Sequence, residues 1–155
     1  MIQRLPDFRD VSLPEAAVRA ALELKPHPEG GHYRELWRDV QQPGQRGAAS
    51  AILFVLAAGE RSHWHRIEAS EIWLWQAGAP LLLGLCDSDG TRKTVRLGPN
   101  AGNGESFQGV VPPHVWQEAS CAGAWTLVSC IVAPAFQFES FELAPPGWSP
   151  PEHRL

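Results

Sequence analysis

Glycine and proline interrupt this chain so often that no long helix or strand fits through most of it. There are fourteen of each among 155 residues. They cluster with turn-forming partners at Pro43-Gly44, Ala58-Gly59, Gly78-Ala79-Pro80, Asp87-Ser88-Asp89-Gly90, Gly98-Pro99-Asn100 and Cys121-Ala122-Gly123. Such clusters mark turns because Gly supplies positive φ, Pro presets φ, and Asp or Asn bonds its own backbone. Between them lie apolar and β-branched segments of strand length. We expect strands near His32–Arg38, Ser50–Leu56, Ser62–Arg66, Glu71–Gln76, Leu81–Cys86, Thr91–Leu97, Ser106–Val111, Val115–Ala119, Trp125–Val132 and Phe138–Leu143. Short strands with turns every roughly 8–12 residues indicate a sandwich or barrel. Asp89-Gly90 is the best hairpin signal. One helix is expected, near 12–23. Ser12 and Glu15 read as a capping box, Pro14 suits the first turn, and Lys25-Pro26 ends the run.

Several function classes are set aside by composition. The net charge is −4, and no run of Lys and Arg exceeds the pair Arg92-Lys93. A nucleic-acid binder would carry a basic face. The longest apolar stretch, Ala48 to Gly59, is about half of the roughly 20 residues a membrane-spanning helix needs. The first ten residues lack the apolar centre of an export signal. Cys86, Cys121 and Cys130 have no metal-binding or redox spacing and read as reduced thiols of a cytoplasmic protein. A GxSxG elbow, a P-loop and a GxGxxG fingerprint are all missing. One domain over 1–144 is expected, followed by a Pro-rich surface tail at 145–155.

Three clusters carry chemistry. In a strand, residues two apart share a face. His63 and His65 are then expected to project together, with Glu71 folded back beside them from the next strand. Two His and a carboxylate suit a divalent ion such as Fe, Mn or Zn. A second cluster, Val110 to Gln117, brings His114 and Gln117 within reach if the sheet closes. The third is the loop Pro26-His27-Pro28-Glu29-Gly30-Gly31 and the strand after it. Alternation there puts Tyr33, Glu35 and Trp37 on one face, a mixed polar and aromatic wall suited to a ligand pocket. It puts His32, Arg34 and Arg38 on the other. Glu71, Trp73 and Trp75 also share a face, so both Trp rings line either a cavity or an outer surface.

Together these clusters resemble the cupin superfamily, whose fold is a double-stranded β-helix or jelly-roll barrel. Its first motif, G-x5-H-x-H-x3–4-E-x6-G, reads here as Gly59, His63, His65, Glu71 and Gly78. The first gap is two residues short and the middle one a residue long. Its second motif, G-x5-P-x-G-x2-H, is followed loosely by Gly109, Pro112, His114 and Gln117, with Gln117 at the place of the third His. A more specific resemblance is to the cupin-like family marked by an HPEGG loop. It is carried by His27 to Gly31, Tyr33-Arg34-Glu35, His65-Arg66, Glu71-Ile72-Trp73, Leu97-Gly98, Val111-Pro112, Trp116, and Ala133 to Glu142.

The resemblance implies an all-β cupin barrel with one short N-terminal helix that binds a small polar molecule. It implies two kinds of enzyme. In one, His63, His65, Glu71 and Gln117 hold a divalent metal (Fe, Mn, Zn or Ni) that polarises a sugar-like or other polar substrate or activates a bound water, in isomerase, lyase or dioxygenase chemistry. In the other, a metal-free epimerase or isomerase, His65 is the base and Tyr33 the acid. A non-catalytic sensor, stacking its ligand on Trp73 and Trp75, is a third outcome. Glu35 and His114 are further candidate ligand contacts. Seven Trp exceed what a small barrel easily encloses. Trp64 is expected to point away from the His pair, so a homodimer covering the outward rings is expected.

Overall fold

In a computed structural model, residues 5–40 and 42–151 are described; Gln41 and the ends 1–4 and 152–155 are not. The chain forms helix α1 (Glu15–Ala21) and eleven strands: β1 (Lys25–Pro26), β2 (His32–Arg38), β3 (Ser50–Ala57), β4 (Arg61–Arg66), β5 (Ser70–Gly78), β6 (Leu81–Cys86), β7 (Arg92–Leu97), β8 (Gln108–Val111), β9 (Trp116–Cys121), β10 (Trp125–Ala133) and β11 (Glu142–Leu143). They make two sheets, ordered β1-β2-β3-β10-β5-β8 and β11-β4-β9-β6-β7. All strand pairs between these elements are antiparallel. This is the expected all-β jelly roll, with one short α-helix among the described residues.

Alternation along the central strands divides the core into layers. Phe54 and Leu56 of β3 and Val128 and Cys130 of β10 face Leu81, Leu83 and Leu85 across the gap between the sheets. Val55, Trp125 and Leu127 point the other way, onto Val18 of α1 and Leu24. The first sheet is thus covered on both faces, which is why β3 and β10 read as nearly continuous apolar runs.

Two expected elements differ. Helix α1 is shorter than 12–23 and starts after Pro14, with no side-chain cap. The Ser12 amide and hydroxyl both bond the Asp10 carboxylate, at 3.0 and 2.6 Å. That local turn satisfies Ser12 before it can cap. The expected strand Phe138–Leu143 is a 3₁₀ turn over Phe138–Ser140 and then two residues of β11. The described part of the Pro-rich end packs against the second sheet, where Trp148 lies tilted against Trp116 at 4.7 Å and Ala144 packs beside Trp64, while 152–155 lie outside the described residues. No helix among the described residues is long and apolar enough to cross a membrane.

Candidate functional site

A cavity of about 230 Å³ opens between the sheets at one end of the barrel, beside the core. Its floor is polar and buried: Glu29, His65 and Glu71 are 8, 2 and 7% exposed. Tyr33, Glu35 and Arg38 of β2 form one wall, and Phe136, Phe138 and Phe141 form another.

Glu29 reaches the floor because of the loop that holds it. Gly30 and Gly31 adopt φ of +112° and +72°. A Cβ on Gly30 would stand 2.0 Å from the Arg61 carbonyl oxygen. Only glycine permits this approach. It lets the Glu29 carbonyl accept from the His63 amide at 2.8 Å, which docks the loop on β4. Glu29 Oε2 then lies 3.1 Å from His65 Nε2. His65 Nδ1 is 2.7 Å from the His63 carbonyl oxygen, which can only accept, so Nδ1 carries the ring proton. Burial favours the neutral form of both groups, in which Nε2 is the bare nitrogen and the Glu29 carboxyl donates to it as O–H.

Electrostatics agree with this neutral pair. Burial raises the Glu29 carboxyl to about 8 and lowers the His65 imidazole. Burial also lowers His27 to about 4 and raises Glu71 to about 7. Desolvation disfavours the charged form in each case. Behind the floor, Gln117 Nε2 donates to Glu71 Oε2 at 2.8 Å, and Trp73 Nε1 donates to Gln117 Oε1 at 2.8 Å. The indole thereby fixes which way the amide points.

The candidate residues separate into three groups. His65, Glu71, Tyr33 and Glu35 line the cavity. Trp73 and Gln117 stand behind it in the core, Gln117 bonded to Glu71. His63, His114 and Trp75 lie elsewhere. His63 Nε2 meets the Pro145 carbonyl oxygen at 2.9 Å, on the outer side of β4. Its departure from His65 has a local cause: β4 pairs Ser62 with Ala119 and His65 with Gln117, so three steps on β4 match two on β9. That bulge inserts one residue and breaks the shared face. His114 sits in a turn at φ +66° and lines a separate surface groove with Trp116 and Trp148. Trp75 donates to the Ala79 carbonyl at 3.0 Å, far along β5. A second bulge, at Leu36, corrects β2: Glu35 pairs with Ile52 and Trp37 with Ala51. Past it, Arg38 faces the cavity and Trp37 does not.

The donor set does not form a metal centre. Among the described residues, no three His, Cys, Asp or Glu are arranged to hold an ion. His63 is turned away, Glu29 engages the free nitrogen of His65, and the Gln117 oxygen is taken by Trp73. Glu29, His27 and the three Phe were not among the residues expected to form the site. The signal for Glu29 was present: a carboxylate held in a loop with two Gly and two Pro.

Residues 16–144 match the family described as cupin superfamily (DUF985). The chain belongs to this cupin family. A crystal structure of a Shewanella oneidensis protein is 34% identical, with 85% of each chain covered and a TM-score of 0.81. A hypothetical protein from Leishmania major is 30% identical, covering 84% of this cupin and 86% of that chain, at TM-score 0.76. Oxalate decarboxylase from Bacillus subtilis shares the fold at TM-score 0.60 and 13% identity, with 76% of this cupin lying on 29% of that chain. Among curated proteins there is no match.

Proposed function

We propose that this cupin binds a small polar molecule in the cavity and moves a proton on it, without a metal, as an isomerase or epimerase does. The observation that carries the reading is the buried contact between Glu29 Oε2 and His65 Nε2, 3.1 Å long, at the floor of a ligand-sized cavity. Its chemistry suits a carbonyl compound with an acidic neighbouring C–H. Glu29 gives its proton to the ligand's carbonyl oxygen, which frees the lone pair of His65 Nε2. His65 then takes the proton leaving the adjacent carbon, so charge stays balanced within the site. Reversal at a neighbouring position yields the isomer. Glu71, whose carboxyl burial raises to about 7, and the Tyr33 hydroxyl supply further proton-transfer groups around the ligand.

The test is proton exchange. Short hydroxy-carbonyl and amino-carbonyl compounds would be incubated with the protein in D₂O, with and without a chelator, and read by NMR. We expect exchange that the chelator leaves unchanged and that Glu29→Gln slows by about 100-fold or more. A rate abolished by chelation, or one indifferent to Glu29→Gln, would overturn the reading.

A further inference from the structure

We propose that the cavity takes a small organic ammonium group, seated between the buried carboxyls of Glu29 and Glu71 and the surrounding aromatic rings. The proposal relies on this cavity being the ligand site, as argued above, but not on any reaction occurring there.

The carboxyls state the need. Both are more than nine-tenths buried and both line the same cavity. Neither has a cationic partner: His65, His27 and the Ser62 hydroxyl surround Glu29, and the Gln117 amide and the Cys130 thiol meet Glu71. Among the described residues, neither carboxyl is paired with a Lys or Arg. Two cationic side chains border the cavity, and both are engaged at its wall. Arg38 donates to both Glu35 oxygens, at 2.9 and 2.8 Å, and to the Phe136 carbonyl at 2.7 Å. Lys25 holds its ammonium 5.3 Å from the centre of the Tyr33 ring. With no countercharge beside them, burial favours the neutral form of both acids, and their ionisation waits on a partner that brings positive charge. A positively charged ligand group does so.

The rings supply the rest. The Phe141 centroid is 5.4 Å from that of His65, and the Phe136 and Phe138 centroids are 5.8 and 6.1 Å from Phe141. His27 stacks edge-on to Tyr33 at 4.6 Å, on the same cavity. Aromatic faces attract cations and repel anions. An anionic ligand would meet these faces and two acids together. The cavity volume falls below the roughly 300–1,000 Å³ of drug-sized sites, so the ligand is small.

Calorimetry on the full chain in mildly alkaline buffer tests this with three isosteric probes: benzylamine, benzyl alcohol and benzoate. We expect benzylamine to bind at least ten-fold more tightly than benzyl alcohol, and benzoate to give no measurable heat. Glu71→Gln should weaken benzylamine ten-fold or more and leave benzyl alcohol within two-fold. Should that variant misfold, Phe138→Ala at the exposed rim still serves, with a few-fold loss confined to the amine. Benzoate or benzyl alcohol matching the amine would overturn the proposal. So would full amine affinity in Glu71→Gln or Phe138→Ala, or no binding by any probe. Amine binding without deuterium exchange would remove the enzyme reading and leave this one standing. Exchange on an acidic compound that excludes amines would do the reverse.

Discussion

Strands β4 and β5 follow one another in the chain, and both carry residues of the site. Only one of them obeys simple alternation where it matters. In β5, Glu71 and Trp73 point to the barrel interior together, one into the cavity and one into the core, while Ile72 faces away. In β4, His63 and His65 should do the same and do not. The difference is the single residue that β4 inserts between Ser62 and His65 relative to β9. A regular ladder repeats side-chain direction every second residue, and one extra residue inverts everything after it. The bulge brings His65 against Glu29 and sends His63 to the outer surface. The functional face of this barrel is set by its irregularities, and its core by its regular strands.

The largest expected effect sharpens that contrast directly. His65→Asn should reduce proton exchange by about 100-fold or more, since it removes the base at the floor. His63→Asn, on the outer face, should stay within about two-fold. NMR exchange rates of the two variants decide it, and equal losses would restore His63 to the site.

The next concerns the regular strand. Trp73→Phe keeps the ring but removes the N–H that Gln117 Oε1 accepts. Gln117 is wholly buried, so an unsatisfied carbonyl remains, at a cost of about 1–3 kcal/mol. Trp75→Phe loses a bond to a backbone carbonyl in a half-buried place, and should cost about 0.5–1.5 kcal/mol. Urea titrations compare the pair. A Trp73 variant as stable as the Trp75 variant would mean that the indole does not hold the amide.

A third effect follows from the floor's electrostatics. Glu29 and Glu71 have carboxyls raised from 4.5 to about 8 and about 7. The folded state binds their protons more tightly than the unfolded chain does. Their contribution is complete below about pH 4.5 and is lost as pH rises through 7 and 8. His27, lowered from 6.5 to about 4, acts oppositely, adding stability above 6.5 that is lost toward 4. His65 shifts in the same direction. Below pH 6.5 the two kinds oppose each other. Above it only the carboxyls act, so stability should fall by on the order of 1–2 kcal/mol between pH 6.5 and 8. Glu29→Gln should flatten most of that slope in denaturant titrations. A wild-type profile flat over this window would mean that the floor is not proton-loaded.

The same contrast explains what was legible in the sequence. Turn chemistry punctuates the chain, so nine of the ten strand segments fall where Gly, Pro and Asp leave room for them. The core residues of β3, β6 and β10 follow because regular strands keep their period. The bulges at Leu36 and in β4 carry no compositional mark. Each is a matter of register against a partner that the local sequence does not name. Phe136, Phe138 and Phe141 reach the cavity from a turn, where no period applies. Glu29 enters through backbone conformations that two glycines allow, a signal for an unusual loop but not for where its side chain ends.

The smallest effect tests the last outward ring. The expected homodimer drew on the number of Trp and on four strand positions, Trp37, Trp64, Trp116 and Trp125, of which some, Trp64 in particular, had to face outward. Three are covered within the chain: Trp64 and Trp116 by the 144–148 segment, and Trp125 by the α1 layer, where its Nε1 donates to the Leu13 carbonyl at 2.7 Å. Trp37 is different. The Leu36 bulge turns it out of the cavity wall and leaves it 53% exposed, beside Leu36 at 54%. Trp37→Ser should shift monomer stability by no more than about 0.5 kcal/mol, because little is buried there to lose. Trp64→Ala, on the bulged strand but under the C-terminal segment, should cost about 3–5 kcal/mol. If a second copy of the chain covers β2, as proposed from the number of Trp, light scattering should show a dimer that Trp37→Ser converts to a monomer. A wild-type mass that stays monomeric at high micromolar concentration would remove the dimer and leave Trp37 as a surface residue displaced by the bulge beneath it.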